Sequence, residues 1–368
     1  MSLVAPRVAF LLRTFSLGGA ELQAIREANA LAQVGVSVVV LTRAGSWAAI
    51  RARRAGLSCR ELRAGPIPLR ALDGVDVVHV HEPKDLPWAL LAGRSRSLPV
   101  VLTRHLAASA RRRRDPYHRW LRRRIRWVVS SAFVRDSVVA AYGVAPDAVR
   151  IVPYGYAAPP LAPGWEAARA MRATATIGML SRLSHGKHLA DAVAVLERVR
   201  RAGRDAALWV AGEETDSGAR RELLGLAAER GLGEHVHLLG FRRDIASLLA
   251  SFDVLLHTAH AESFGLAILE AMAHGCPVVA SAGGGVPEIL SHDVTGLLAP
   301  PGGVAALAGH VSRSLDDRPS AVGRAALARA QVIARFSPRA EAEALCRVYG
   351  EVVADGASSG KRARIATS

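Results

Sequence analysis

The chain has 368 residues, 48 Lys and Arg against 32 Asp and Glu, and three cysteines. That length fits two domains of about 100–200 residues each, and a composition that is 50% hydrophobic and 22% charged excludes wholesale disorder. The formal charge of +16 points to an anionic partner and is lopsided: residues 1–160 hold 25 Lys and Arg against 10 Asp and Glu, a net of +15, and residues 161–368 carry only +1.

In chain order, short β-branched apolar runs at 8–12, 36–41, 76–80, 100–103, 127–130 and 149–152 read as strands, with an amphipathic helix at 20–33. The pattern then repeats, with strands at 176–180, 206–211, 235–239, 254–257 and 277–280 and helices at 191–201 and 220–230. Near-continuous apolar strands alternating with helices predict parallel sheets covered on both faces, hence two doubly wound, Rossmann-like α/β domains. Segment 153–164 holds four prolines and two glycines and separates the two series. The expected organisation is therefore an N-terminal domain over 1–155 and a C-terminal domain over 165–335. A helix over 336–355 would pack back toward the first domain, ahead of a small, polar, disordered tail over 356–368. Such sheets bind ligands at the carboxyl ends of their strands, so two that face each other would form a cleft.

Cys59, Cys276 and Cys346 show no metal or disulfide spacing and fit a reducing compartment. No apolar run approaches the roughly 18 residues of a membrane span, and the N-terminus lacks a signal-peptide pattern. The expectation is a cytoplasmic chain.

Several turns carry chemistry. Gly18 and Gly19 stand between the first strand and its helix, where backbone N–H groups can meet an anion or simply form a tight turn; GxGxxG is absent. Arg182 and Lys187 follow the strand at 176–180. A P-loop is excluded, because it needs Gly at 181 and Ser or Thr at 188, where this chain has Ser181 and His188. Two cations remain that either clamp a diphosphate or are ordinary surface charges. Over 253–280 the pattern reads strand, loop, helix, strand, with Ser263 as an N-cap, Gly275 just past the helix and Pro277 preventing its continuation. The N–H groups of Phe264, Gly265 and Leu266 would then point at a ligand. Glu262 and Glu270, eight residues apart, would lie roughly 12 Å from each other on a regular helix. Glycosidase pairs sit about 5–9.5 Å apart, so hydrolysis by this pair is disfavoured, and the spacing suits the two ends of one extended ligand. His79-x-His81 and His235-x-His237 each put two imidazoles on one strand face, but neither pair has an evident third ligand, and no metal is expected.

Residues 111–127 contain nine Arg and one Asp. Tyr117, Trp120, Leu121, Ile125 and Val128 fall at helical spacing. Arg111, Arg112, Arg113, Arg114, Arg122, Arg123, Arg124 and Arg126 with Trp120 thus read as a basic amphipathic helix for an anionic membrane or an acidic acceptor. A nucleic-acid surface or an ordinary solvated helix are the alternatives. Aromatics in the stripe that a globular fold would bury weaken the nucleic-acid reading.

The segment Glu262 to Glu270 resembles the E-x7-E motif of the family 4 retaining glycosyltransferases, which have the two-domain GT-B fold. Gly18-Gly19-Ala20-Glu21 resembles the N-terminal glycine turn of that family, and Arg182-x4-Lys187 its diphosphate-binding spacing. Gly240-Phe241-Arg-Arg-Asp-Ile245 resembles its segment near the nucleobase, and 284–290 and 295–302 resemble later signatures. The chain departs from the pattern at Ser181, where the family has Gly, and at the junction Pro153-Tyr-Gly-Tyr-Ala157.

The resemblance implies that Arg182 and Lys187 neutralise the donor diphosphate, Glu270 binds the ribose, and Glu262 binds the transferred sugar. It also implies that Ser263, Phe264, Gly265 and Leu266 meet sugar and phosphate, that Gly240 and Phe241 lie by the base, that Gly18 and Gly19 close over the donor, and that His105 lies near the reacting sugar. The implied activity is transfer of a sugar from a nucleoside-diphosphate sugar to an acceptor hydroxyl with retention, without a cofactor or an essential metal. The acceptor is expected to be acidic or lipid-linked, as in cell-envelope polysaccharide or glycolipid synthesis, with the protein peripheral on the cytosolic face of the membrane and not on nucleic acid. The alternative is a nucleic-acid or anionic-surface binder on a GT-B scaffold.

Overall fold

The computed structural model describes residues 6–13, 19–63, 65–108, 125–160 and 174–365, the last ten as backbone only. The chain divides into two compact units, Met1–Gly155 with Phe336–Ser368, and Tyr156–Arg335.

The first unit carries strands β1 (Val8–Leu12), β2 (Val38–Arg43), β3 (Ser58–Leu62), β4 (Val77–Val80), β5 (Val100–Arg104), β6 (Ile125–Val129) and β7 (Val149–Ile151), with helices α1 (Gly19–Gln33), α2 (Trp47–Arg54), α3 (Leu86–Arg96) and α4 (Ala132–Tyr142). All seven strands are parallel, in the order β3-β2-β1-β4-β5-β6-β7. Side chains alternate across a strand, so every residue of the apolar run Val8-Ala-Phe-Leu-Leu12 is buried, on one face or the other. Val8, Phe10 and Leu12 join Ala24, Ala28 and Leu31 of α1. Ala9 and Leu11 join Leu86 and Ala89 of α3 and Val134 and Val138 of α4.

The second unit carries β8 (Ala175–Leu180), α5 (Leu189–Arg201), β9 (Ala206–Ala211), α6 (Ala219–Glu229), β10 (Val236–Gly240), α7 (Ile245–Ser251), β11 (Val254–His257), α8 (Leu266–Ala273), β12 (Val278–Ser281), α9 (Val286–Ile289), β13 (Leu297–Ala299), α10 (Val304–Asp316) and α11 (Arg318–Arg335). Its six strands are parallel in the order β10-β9-β8-β11-β12-β13. The strand order reverses between β8 and β11, the topological switch point at which doubly wound sheets bind ligands. The same reversal falls between β1 and β4 in the first unit.

The chain returns to the first unit as α12 (Pro338–Ile365), whose Ala342, Leu345, Val348 and Tyr349 share the core of α1. Disorder was expected from 356. Instead α12 continues to Ile365, because a helix nucleated by its packed first turns extends residue by residue and no proline follows Pro338.

The helix expected across 111–128 also needs correcting. Ile125 and Val128 belong to β6, where Ile125 and Trp127 are buried on one face of the sheet and Val128 on the other. Ile-Arg-Trp-Val-Val is a β-branched run that completes the ladder between β5 and β7, and sheet pairing prevails over helical spacing there. Arg126 points outward to Asp355, 2.8 Å away. Arg111, Arg112, Arg113, Arg114, Trp120, Arg122, Arg123 and Arg124 lie outside the described residues.

Candidate functional site

At the switch point of the second unit, three consecutive strand-to-helix turns converge because β8, β11 and β12 are neighbours in the sheet. The first turn, residues 181–188, carries Arg182, exposed, and Lys187, half-buried, at the end of a short 3₁₀ helix (His185–Lys187). Asp216 pins this turn by accepting both the His185 backbone N–H (2.8 Å) and a bond with its ring Nδ1 (2.9 Å). The second turn, residues 258–265, carries Glu262. The third, residues 282–285, supplies Gly283, Gly284 and Gly285.

These glycines shape the Glu262 loop. The Glu262 carbonyl accepts the Gly285 N–H at 2.8 Å. A Cβ added at Gly284, where φ is +66°, would stand 2.1 Å from the Glu262 carbonyl oxygen. Only glycine permits both that approach and that backbone conformation.

The side chains then meet. Lys187 Nζ donates to Glu262 Oε2 at 2.5 Å, His257 Nε2 donates to the same oxygen at 3.2 Å, and the Ser263 N–H donates to Oε1 at 3.1 Å. The Thr258 hydroxyl donates to the Lys187 carbonyl at 2.8 Å, tying the first turn to the second. Burial alone would raise the Glu262 carboxyl, but the His257 hydrogen bond and the Lys187 ammonium outweigh it and hold the group well below the usual carboxylate range. The turn after β8 thus places a cation directly on the carboxylate of the turn after β11. A diphosphate is the kind of ligand that competes for that cation, and a polyol the kind that uses the carboxylate as acceptor.

The start of α8 differs from expectation. Its N-cap is Gly265, at φ +103° and without a side-chain cap, and the helix begins at Leu266; Ser263 does not cap it. The reason is local: the positive φ at Gly265, two residues past Ser263, is where the chain turns into the helix. The N–H groups lacking an intrahelical acceptor are therefore those of Leu266, Ala267 and Ile268, while the Leu269 N–H reaches the Gly265 carbonyl. Phe264 and Gly265, expected among the donors, precede the helix. Glu262 lies outside the helix too, so the eight-residue helical rise to Glu270 does not apply; Glu270 lies within α8, half-exposed. Gly240 ends β10, and Phe241 follows it largely exposed. Gly19 opens α1, and Gly18 lies outside the described residues.

In the first unit, His105 follows β5. Its Nδ1 pairs with the Tyr154 hydroxyl at 2.6 Å and its Nε2 with His81 Nδ1 at 3.3 Å, so both ring nitrogens are engaged. Burial, aided by Arg104, pushes it down to about 4, and it is neutral at pH 7. His79 and His81 both lie buried at the end of β4. The third group that the sequence did not reveal is Glu27 of α1, whose Oε1 is 3.6 Å from His79 Nδ1 and 3.9 Å from His81 Nε2. One signal pointed to it: Glu27 interrupts the apolar stripe Ala24, Ala28, Leu31. His257, Thr258 and Asp216 were also missed: Thr258 meets Lys187, and Asp216 meets His185, only through the order of the strands, while His257 bonds Glu262, five residues on, only because the turn after β11 folds back. His235 and His237 remain without a third partner of the metal-ligating kind among the described residues.

Known proteins match most of the chain in sequence and fold. Residues 17–157 match the model of Glycosyltransferase Family 4, and residues 171–330 that of Glycosyl transferases group 1. The chain is 30% identical over 293 residues to a glycogen synthase of Mycobacterium tuberculosis, spanning 74% of this chain and 68% of the relative. It is 34% identical over 254 residues to a D-inositol 3-phosphate glycosyltransferase of Saccharomonospora viridis, spanning 62% and 56%. Its fold matches the crystal structure of Anabaena Alr3699/HepE in complex with UDP and glucose with a TM-score of 0.82 at 22% identity, over 94% of this chain and 99% of the other. The chain belongs to the family 4 glycosyltransferases, enzymes of the GT-B type that draw their sugar from a nucleotide-sugar donor and are typically metal-independent.

Proposed function

We propose that this protein transfers a glycosyl group, with retention at the anomeric carbon, from a nucleoside-diphosphate sugar to a hydroxyl of an acidic or lipid-linked cell-envelope acceptor. The observation that carries the reading is the Lys187–Glu262 pair at the β8/β11 switch point. The arriving diphosphate takes Lys187, with Arg182 beside it, and releases Glu262 Oε2 to accept sugar hydroxyls, while His257 and the Ser263 N–H hold the carboxylate in place. Glu262 stays ionised and ready to accept because its carboxyl lies so low. The bond from the anomeric carbon to the diphosphate breaks, the acceptor oxygen bonds to that carbon, and its proton passes to a phosphate oxygen of the leaving group. Charge gathers on that group, where Lys187, Arg182 and the first-turn N–H groups of α8 stabilise it.

UDP in the Anabaena relative makes uridine diphosphate sugars the first donors to test. In a transfer assay across such donors, Lys187→Ala and Glu262→Ala lose product formation while circular dichroism stays unchanged; full activity in both variants contradicts the assignment. The anomeric coupling constant of the product reads retention directly. The +8 net charge over residues 111–127 supports an acidic or membrane-borne acceptor. Flotation with anionic liposomes at low salt, lost on replacing those arginines, tests this, and indifference to the liposomes sinks it.

A further inference from the structure

We propose that the first unit binds one zinc-class divalent ion through Glu27 Oε1, His79 Nδ1 and His81 Nε2. Glu27 and His81 are each about 3% exposed or less, and Glu27 Oε1 and His81 Nε2, which face each other, make no hydrogen bond. Buried polar atoms are nearly always paired, so two facing orphans demand a reason. Their separation of 3.9 Å is too long for a direct bond. It is also short for a water bridge, which at two ordinary hydrogen bonds spans about 4.5 Å. A tetrahedral zinc ion, with bonds of about 2.0–2.1 Å, places its ligand atoms about 3.4 Å apart. The separations of 3.6 and 3.9 Å from Glu27 Oε1 to the two imidazoles need contract only by tenths of an ångström to meet it, and all three groups offer ligand atoms within 4.8 Å of one another.

The surroundings are those of metal-ligating histidines, whose second nitrogen is held by a partner that fixes the tautomer. His79 Nε2 is held by the Thr103 hydroxyl at 2.7 Å and His81 Nδ1 by His105 Nε2 at 3.3 Å. That leaves His81 Nε2 facing Glu27, and His79 Nδ1 between Glu27 at 3.6 Å and the Tyr349 hydroxyl at 2.8 Å. An arriving ion would take His79 Nδ1 from that hydroxyl, whose oxygen stays beside the site. The ion would join α1, β4 and α12 in one knot and enter as the unit folds. Because His81 also holds His105, the knot fixes the orientation of that ring. The second cluster able to hold a metal among the described residues, His188, Asp191 and His260, fits less well: its two imidazoles stack at 3.4 Å and 8°, against 4.3 Å and 35° for His79 and His81, so their in-plane lone pairs run nearly parallel.

The test is metal content. Full-length protein from zinc-supplemented culture, washed with EDTA, is expected to carry about one zinc per chain, and so is His260→Ala. Glu27→Gln and His81→Ala are expected to carry less than about 0.1. Because a core variant can misfold, the wild type is also denatured with chelator and refolded with cobalt(II) alone, and four-coordinate visible absorption is expected. Wild type that purifies without zinc and refolds without that absorption overturns the proposal, as does full zinc in folded Glu27→Gln and His81→Ala. Loss of zinc in His260→Ala alone also overturns it by assigning the ion to the other cluster.

Discussion

Glu262 accepts three hydrogen bonds before a sugar reaches it, two of them from side chains on other turns or strands. Its role is therefore sensitive to residues that need not touch substrate. His257→Leu removes one donor to a charged acceptor, a loss of about 1.5–3 kcal/mol or roughly 10–100-fold in kcat/KM, with the fold retained. The same change lets the carboxyl rise. Since the folded value is depressed, the stability linked to Glu262 is present above the ordinary carboxylate value of about 4.3 and is lost as pH falls below it. Removing His257 moves the acid limb of the pH–rate profile to higher pH, and an unmoved limb would show that His257 does not act through Glu262. The Glu262 to Glu270 spacing was legible in the sequence, as was the Arg182 and Lys187 pair. The partners of Glu262 were not, because Lys187 becomes its neighbour only through the strand order of the sheet, and His257, five residues before it, only through the fold of the turn after β11.

At the scale of elements, apolar runs marked most strands, since a parallel strand buried on both faces has no polar alternation to blur it. β3 was missed because Ser-Cys-Arg-Glu-Leu is an edge strand, largely exposed and polar. β6 was legible as a strand, but its residues Ile125 and Val128 also lent themselves to a helical stripe that the sheet overrides. Two substitutions probe elements directly. Gly284→Ala combines a positive φ with a Cβ against the Glu262 carbonyl, so it lowers stability by at least about 1–3 kcal/mol, read by denaturant unfolding. In α12, burial pushes the Glu341 carboxyl up to about 8, against the lowering effects of the Gly155 N–H and of Gln23, which donates to it at 2.9 Å. A raised carboxyl contributes full stability below about pH 4.3, and that contribution is lost as pH rises toward 8. Glu341→Gln keeps the Gln23 bond without the ionisation, so its Tm exceeds the wild type's at pH 8 and the gain shrinks toward pH 5. A gain that is the same at both pH values would contradict the buried acid.

At the scale of the whole chain, two parallel-sheet units with the strand order of nucleotide-binding folds explain why the chemistry gathers at strand ends. The uneven charge has a place in that picture. The second unit matches its cations with acids and stays near neutral, while residues 1–160 carry +15. Among the described residues no helix is long and apolar enough to cross a membrane. The membrane contact proposed above uses surface charge, which salt screens within about 8–10 Å. Sequence sufficed for the fold class and the family because several motifs appear in family order; which acceptor is used depends on loop surfaces that composition does not encode.

The most direct measurement is calorimetric titration of nucleoside diphosphates into the wild type and Lys187→Ala. The account predicts that the wild type binds at least one of them, that Lys187→Ala weakens this binding about 10-fold or more, as expected for a charge-assisted contact, and that Glu262→Gln keeps the diphosphate but loses the added affinity of its sugar conjugate. Equal binding by wild type and Lys187→Ala would contradict it.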